Sequence, residues 1–315
     1  MHRLLILSRL ARDYADILAA ARLPDLAMTS MTEAVAPPAN AASFDLAFGD
    51  PRLLSRMMPA LTGVNWVQST WAGVEPLLDP ALRRDYILTN ARGVFGAQMS
   101  EYVFAYLLAH ERKIFEKQAS QAAGRWDPAP PTRLRGKQLG LLGVGTIGAA
   151  LAGTAKHFGM RVKGYTRVSE DSADVDEYFH GSLTAVGAAF ASDLDYLVSV
   201  MPDTAATRHL SGAALLRALP PRAVFVNPGR GGVVDEAALA DALQECRLAG
   251  AVLDVFETEP LPADHGFWRL PNVRITSHTA ALSAPPDIAP LFIDNYRRLL
   301  RSEPLKYIVD FDRGY

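Results

Sequence analysis

The second half of the chain alternates between short apolar stretches and stretches with helical spacing, from residue 137 to residue 283. Six apolar stretches are predicted to be strands: Gln138–Leu142, Arg161–Tyr165, Asp195–Val200, Ala223–Val226, Gly250–Leu253 and Val273–Thr276. A short extra strand is a further candidate at Glu177–Phe179, and helices are predicted between the strands, for example at Ile147–His157 and Asp235–Glu245. Strands that alternate with helices are typical of a parallel sheet with helices on both faces. The pattern therefore predicts a doubly wound parallel α/β domain.

Residues 1–98 show the same alternation but contain no glycine fingerprint. Strands are predicted there at Leu4–Leu7, Leu26–Thr29, Asp45–Phe48, Trp66–Ser69 and Tyr86–Thr89. Helical spacing from Ser100 to His110 predicts a long, largely buried helix that continues to about Gln121 and opens a second domain. Another helix is predicted at Ile288–Leu300, and we expect the tail after it to return to the first domain. The predicted domains are residues 1–98 with 284–315, and residues 99–283.

Composition narrows the class of protein further. The chain has 315 residues, 49% hydrophobic and 21% charged, which fits an ordinary globular protein of about two domains. A net charge of −2 gives no sign of a nucleic-acid partner or an anionic membrane surface. The apolar run near the N-terminus is too short for a signal peptide, and no run reaches the roughly 18 residues of a membrane span. The single cysteine, Cys246, excludes an intrachain disulfide, offers no metal-binding thiolate cluster and fits a cytoplasmic location.

A glycine-rich turn follows the predicted strand Leu139–Leu142 and opens a predicted helix. In such a turn the first glycine permits the tight bend, the second lets the backbone approach a pyrophosphate, and the third lets helix and strand pack closely. The amide groups of the helix N-terminus would then face the phosphates. The alternative is a glycine-rich turn without a ligand. The residues expected to contact a dinucleotide here are Gly143, Gly145, Thr146, Ile147 and Gly148.

The end of the next predicted strand bears on the choice of cofactor. An acidic residue at this place normally holds the ribose hydroxyls of NAD, but here Thr166 occupies it and Arg167 follows. A hydroxyl and a guanidinium can bind a 2′-phosphate, whereas a carboxylate would repel it. NADP(H) is therefore the predicted cofactor. The alternative is that Arg167 is a solvated surface residue and NAD(H) binds through other groups.

Three predicted strands are each followed by a side chain suited to acid–base or anion-binding chemistry, namely Arg230, Glu259 and His278. Ligands bind beyond the carboxyl ends of parallel strands, so these three residues are expected at one edge of one sheet. A guanidinium can bind a carboxylate bidentately, and an imidazole paired with a carboxylate can protonate a carbonyl oxygen. With a nicotinamide cofactor, this set of groups predicts the reduction of a 2-oxo acid.

Alternatives stay open for each of these residues. Arg230 could form a structural ion pair at its turn, although the glycines beside it (229, 231 and 232) are expected to leave room for a small ligand. His278 could cap a strand, and Glu257 competes with Glu259 as its partner. Asp254 lies near the same edge and is a candidate to hold the nicotinamide amide. The other histidines are expected to be structural or to face solvent because they lack the strand-end setting of His278: His2, His110, His157, His180, His209 and His265.

Several segments, in order and at fitting distances, resemble those of one enzyme family. Besides the glycine turn they are Leu197–Leu210, Asn227–Glu236, Leu253–Pro260 and Asn272–Ala280. By these the chain is similar to the D-isomer-specific 2-hydroxyacid dehydrogenases. The resemblance implies a Rossmann cofactor domain inserted into a smaller, flavodoxin-like α/β substrate domain. It also implies a homodimer formed through the cofactor domain, with Ser100–His110 contributing.

The resemblance implies roles for individual residues. Arg230 would bind the substrate carboxylate, His278 would donate and accept the proton, and Glu259 would orient it. Backbone amides of the loop containing Trp71, Ala72 and Gly73 would also bind the substrate. Pro202 and Thr207 would contact the cofactor.

The stretch Trp66–Val74 and the pair Thr166-Arg167 are similar to the glyoxylate/hydroxypyruvate reductase branch of the family. One departure is Ser277, which stands where a proline commonly precedes the histidine. The predicted activity is hydride transfer between NADP(H), or NAD(H), and a small 2-oxo acid. The alternative is a dinucleotide-sensing binding protein, similar to the corepressors that share this fold, with little or no turnover.

Overall fold

The computed structural model describes residues 1–34 and 36–315 of the chain. It divides into two compact units: unit 1 is Met1–Val94 with Ser283–Tyr315, and unit 2 is Phe95–Leu282. The strands are β1 His2–Leu7, β2 Leu26–Met31, β3 Leu46–Gly49, β4 Trp66–Ser69, β5 Ile87–Thr89, β6 Gln138–Leu142, β7 Arg161–Tyr165, β8 Glu177–Phe179, β9 Tyr196–Ser199, β10 Val224–Asn227, β11 Gly250–Leu253 and β12 Val273–Ile275. The α-helices are α1 Ala11–Ala20, α2 Pro51–Met57, α3 Gly96–Glu111, α4 Ile114–Ala122, α5 Thr146–His157, α6 Leu183–Ala191, α7 Ala213–Ala218, α8 Glu236–Gln244 and α9 Pro285–Leu300. Within the described residues, none of these helices combines the length and apolarity needed to span a bilayer.

Unit 1 is built on a five-stranded parallel sheet in the order β2-β1-β3-β4-β5. This is the strand order of flavodoxin-like folds. On one face, Phe292 of α9 stacks on Phe48 and Trp66 with ring centroids 5.1 and 5.0 Å apart. The chain therefore returns from unit 2 to complete the core of unit 1, because these strands need an apolar helix to bury their aromatic side chains.

Unit 2 is built on a seven-stranded parallel sheet in the order β12-β11-β10-β9-β6-β7-β8. Its first strand, β6, lies in the middle between β7 and β9, so the order reverses there as in a Rossmann fold. Apolar cores line both faces of this sheet, one around Phe225 and Leu197 and the other around Leu141 and Val226. The predicted fold class, a Rossmann domain and a smaller flavodoxin-like domain, is confirmed.

The helix predicted to run from Ser100 to about Gln121 is interrupted, so that prediction is wrong in its length. Helix α3 ends at Glu111, and Lys113 has a φ of 54°, in the left-handed region, before α4 begins. The buried Glu111 carboxylate accepts a hydrogen bond from the Tyr196 hydroxyl and pairs with Lys137 Nζ at 3.1 Å. These contacts fix the end of α3 in the interior, and they involve residues far along the chain that helical periodicity does not register.

Candidate functional site

The glycine turn after β6 has the geometry of a pyrophosphate cradle. Gly143 has a φ of +97°, and its N–H donates to the Tyr165 carbonyl at 3.0 Å. A Cβ at Gly148 would lie 2.2 Å from the Gly143 carbonyl oxygen, so only glycine lets α5 pack this close to the turn. Among the residues that the structure describes, no side chain caps α5, which leaves its first N–H groups available to an anion. The turn lies where the strand order reverses, the place at which doubly wound sheets bind dinucleotides.

The loop after β9 lies beside this turn. A Cβ built at Gly143 would lie 3.1 Å from Met201 Cγ, so the start of the loop packs against the first glycine. The Thr207 hydroxyl donates to the Pro202 carbonyl at 2.6 Å and accepts from the Thr204 N–H at 2.9 Å. These bonds hold the loop in a compact turn. A contact from Pro202 or Thr207 to the cofactor stays a prediction.

Thr166 and Arg167 follow β7 at the same edge of the sheet. The Thr166 side chain is buried, and its hydroxyl donates to the Ser169 carbonyl at 2.7 Å, so its proton is used within the loop. Arg167 is exposed. His180 directly follows β8, the neighbouring strand, so the expectation that it lacks a strand-end setting is wrong. Because β8 has only three residues, its periodicity gives a weak signal, and the sequence alone does not assign His180 a role at a strand end.

Arg230 follows β10 in a turn that the buried Asn227 side chain holds. Asn227 Nδ2 donates to the Arg230 carbonyl at 3.0 Å, and Asn227 Oδ1 accepts from the Gly229 N–H at 3.2 Å. Asparagine commonly stabilises turns in this way. Its place at the end of a strand and before Pro-Gly is the signal in the sequence that predicts this role. The Arg230 guanidinium donates to the Gly229 carbonyl at 2.8 Å.

The glycines around Arg230 serve protein packing, and the expectation that they leave room for a ligand is wrong. A Cβ at Gly231 would lie 2.0 Å from the Phe256 carbonyl carbon, and one at Gly232 would lie 2.2 Å from Asp203 Oδ2. The turn that contains Arg230 therefore packs between the loop that follows β9 and the loop that follows β11. This close packing sets the position of the arginine.

His278 and Glu259 form a hydrogen-bonded pair. The distance from His278 Nδ1 to Glu259 Oε2 is 2.9 Å, and the other carboxylate oxygen accepts from the Phe256 N–H at 3.1 Å. Glu257, the rival partner, instead lies with Oε1 2.6 Å from His209 Nε2. Because Nδ1 faces the carboxylate, Nε2 is the nitrogen left to act on a substrate, and the imidazole is about half exposed.

Asp254 holds the turn that carries His278. Its buried carboxylate accepts from the Thr276 hydroxyl at 2.5 Å and from the N–H groups of Thr279 and Ala280, each at 2.9 Å. Its carbonyl accepts from the His278 N–H at 2.7 Å. His278 has a φ of 56°, in the left-handed region, so its backbone depends on these bonds. The predicted contact of Asp254 with a nicotinamide stays a prediction, and the positioning of His278 was missed in the sequence.

The loop of Trp71, Ala72 and Gly73 lies in unit 1, directly after β4. Ser69 Oγ accepts from the Trp71 N–H at 2.9 Å, and the Ala72 carbonyl accepts from Asn90 Nδ2 at 2.9 Å. These bonds order the loop, and no acceptor among the described residues is bonded to the N–H groups of Ala72 and Gly73. The two amides are therefore able to bind an anion such as a carboxylate.

Unit 2 thus brings three chemical functions to one edge of its sheet. Strands β10, β11 and β12 are neighbours, and a guanidinium, a carboxylate and an imidazole follow them in that order. The glycine turn follows β6 at the same edge, since all seven strands are parallel. Arginine offers a permanent positive charge to an acid, and the imidazole–carboxylate pair offers a proton.

Comparison with known proteins identifies this arrangement. Residues 104–280 match the family model described as D-isomer specific 2-hydroxyacid dehydrogenase, NAD binding domain. The chain belongs to this family. It is 33% identical over 253 residues to glyoxylate/hydroxypyruvate reductase A of Serratia proteamaculans (strain 568), covering 78% of this chain and 79% of that protein.

Two solved structures of the family are similar over nearly the whole chain. One is a D-isomer specific 2-hydroxyacid dehydrogenase family protein from Aeromonas salmonicida subsp. salmonicida A449, with a TM-score of 0.92 and 38% identity over 99% of both chains. The other is a D-isomer specific 2-hydroxyacid dehydrogenase from Xanthobacter autotrophicus Py2 in complex with NADPH and MES, with a TM-score of 0.90 and 30% identity over 100% of this chain and 99% of that one. The family and the enzyme class predicted from the sequence are confirmed.

Proposed function

We propose that the protein reduces a small 2-oxo acid, glyoxylate or hydroxypyruvate, to the 2-hydroxy acid with NADPH. The observation that supports the proposal most directly is the hydrogen bond between His278 Nδ1 and Glu259 Oε2, which are 2.9 Å apart. This pair lies at the same edge of the sheet as Arg230 and the glycine turn. The similarity to glyoxylate/hydroxypyruvate reductase A supports this choice of substrates.

The residues divide the chemistry between them. Arg230 binds the substrate carboxylate and polarises the 2-oxo group. The nicotinamide, when bound, supplies hydride to the carbonyl carbon. His278 donates the proton on Nε2 to the carbonyl oxygen, and Glu259 stabilises the imidazolium before transfer. The neutral imidazole then takes a proton from solvent, and the reverse order of steps oxidises a 2-hydroxy acid.

The proposed cofactor is NADP(H), with NAD(H) as the second option. The glycine turn and the uncapped N-terminus of α5 suit the pyrophosphate of either. Thr166 replaces the carboxylate that would repel a 2′-phosphate, and the exposed Arg167 follows it. The NADPH complex of the Xanthobacter autotrophicus protein supports the same choice.

We further propose that the protein acts in the cytoplasm as a homodimer formed through unit 2. The single cysteine supports the location, and the family resemblance of the segment Ser100–His110 supports the dimer. Light scattering of the purified chain measures its molar mass directly. A molar mass of one chain at micromolar concentration would contradict the dimer.

The test of the activity is a panel of glyoxylate, hydroxypyruvate, pyruvate and phenylpyruvate with NADPH and NADH, followed by a His278→Ala variant. We expect the first two substrates with NADPH to give the highest kcat/KM, and the variant to lose about 10²–10⁴-fold in kcat. His157→Ala is the matched control, because this histidine is exposed at the far end of α5. Wild-type protein that oxidises neither cofactor with any of these acids would refute the proposal.

A further inference from the structure

We propose that His180 is a second cationic ligand for the 2′-phosphate of NADPH, and that the Glu170 carboxylate occupies the place of that phosphate until the cofactor binds. The inference rests on the NADP(H) preference proposed above. The end of β7 normally sets the choice between NAD and NADP. The inference adds His180, which follows the neighbouring strand β8, as a further specificity-determining residue.

The placement of His180 follows from the strand register. β7 and β8 are parallel neighbours, and their last residues, Tyr165 and Phe179, are paired. The next residues, Thr166 and His180, therefore leave the sheet side by side, and the Thr166 N–H donates to the Phe179 carbonyl at 3.1 Å. Because a 2′-phosphate is expected at the end of β7, His180 stands next to the place where it would bind.

The contacts of the His180 ring orient one nitrogen inward and one outward. Nδ1 lies 3.1 Å from the Thr166 carbonyl oxygen and 3.2 Å from Thr166 Oγ1, so it carries a proton. Nε2 lies 2.7 Å from Glu170 Oε1. The Tyr178 ring lies parallel to the imidazole, with centroids 6.2 Å apart. The outer nitrogen thus faces an anionic oxygen.

Charge reinforces this geometry. The hydrogen bond with Glu170 raises the pKa of His180 above its ordinary value of 6.5, with the Thr166 carbonyl acting in the same direction. Among the described residues, the charged group placed against the ring is Glu170, from the loop after β7. Tyr178 from β8 and Thr166 from the end of β7 supply its other neighbours. Glu170 therefore favours the protonated form of the imidazole, which is the form that binds an anion.

Glu170 is suited to leave when a phosphate arrives. Its side chain is 59% exposed, whereas that of His180 is 33% exposed. The loop backbone is held by other contacts, since the Thr166 hydroxyl donates to the Ser169 carbonyl and the Tyr178 hydroxyl accepts from the Ser172 N–H at 3.0 Å. The Glu170 side chain can therefore swing into solvent without unfolding the loop. A carboxylate and a 2′-phosphate would repel each other at this place, so binding of one favours departure of the other.

The experiment measures binding of two nucleotide fragments to the full chain by titration calorimetry, at about pH 6, where histidine without a partner is still largely protonated. Adenosine 2′,5′-bisphosphate carries the 2′-phosphate and 5′-AMP does not. We expect His180→Gln to weaken the bisphosphate by about three- to fivefold, the upper range for an exposed ion pair, and to leave 5′-AMP unchanged. We expect Glu170→Gln to tighten the bisphosphate by about two- to fivefold.

Asp171→Asn is the matched control, because it removes the same charge from the same loop without touching His180. We expect it to change the bisphosphate affinity less than Glu170→Gln does. The kinetic counterpart is the ratio of kcat/KM for NADPH to that for NADH with glyoxylate, which should fall in His180→Gln by the same factor as the bisphosphate affinity.

Two results would overturn the role of His180: equal weakening of both fragments in His180→Gln, or no change in either. In both cases wild-type protein that still prefers NADPH would leave the proposed function standing. Wild-type protein that turns over glyoxylate only with NADH would instead refute the NADP(H) preference, and the inference with it.

Discussion

Asp254→Asn tests whether the buried carboxylate acts by holding the catalytic turn. In the wild type, three donors share its two oxygens: the Thr276 hydroxyl and the N–H groups of Thr279 and Ala280. An asparagine offers one oxygen and one NH₂ group. At least one of the three donors would then face another donor in the interior, where Asp254 is 1% exposed.

The size of the effect follows from this count. A buried N–H without an acceptor costs about 1–3 kcal/mol, and the remaining bonds lose the strength that a charged acceptor gives them. We expect the free energy of unfolding to fall by about 2–4 kcal/mol, which corresponds to roughly 5–15 °C in the melting temperature. A displacement of about 1 Å at His278 is enough to lower kcat by about 10²-fold.

The assay combines thermal unfolding, steady-state reduction of glyoxylate and titration with NADPH. Asp241→Asn, an exposed carboxylate on α8, is the control and should change none of the three. If Asp254 acts through the turn, kcat falls while the dissociation constant of NADPH is unchanged. A raised dissociation constant with unchanged kcat and stability would refute this reasoning and favour the nicotinamide contact predicted from the sequence.

Three further predictions follow from individual contacts. Glu259→Gln should lower kcat by about 10²-fold because His278 loses its carboxylate partner, whereas Glu257→Gln should leave kcat unchanged in the same assay. Gly148→Ala should destabilise the protein by about 1–3 kcal/mol and weaken NADPH in a titration, because its Cβ has no space. Burial raises the pKa of Glu236 above its ordinary 4.5, so its carboxyl contributes stability that is present below that value and lost as pH rises through the folded pKa. Wild-type stability should therefore decline relative to Glu236→Gln from about pH 4.5 upward in denaturant titrations, and parallel curves would contradict this.

Much of the fold could be predicted because the strands are short, apolar and separated by helices. β4, β6, β7 and β11 lie where the sequence places them. Three of them are almost fully buried runs, whereas β7 alternates between buried and more exposed residues. The interruption at Lys113 could not be predicted, because the contacts that end α3 come from Tyr196 and Lys137.

Part of the candidate site could likewise be predicted from the sequence, and part could not. The glycine turn is recognisable from spacing alone, because a tight bend and a close helix need glycine at set intervals. The role of His180 is not visible in the sequence, because the strand before it has three residues, too few for a clear periodic signal. The support that Asp254 gives to the His278 turn is not visible in the sequence, because that turn lies 22 to 26 residues further along the chain.

Local pattern by itself determined the alternation of strands and helices, the cofactor turn, and the choice of an arginine, a glutamate and a histidine as chemical groups. Only the tertiary structure decided that Glu259 rather than Glu257 meets His278, that the glycines beside Arg230 serve packing, and that Asp254 supports the histidine turn. The physical reason is range. Backbone conformation depends on residues a few positions apart, whereas the partner of a polar side chain depends on which strands the sheet makes neighbours.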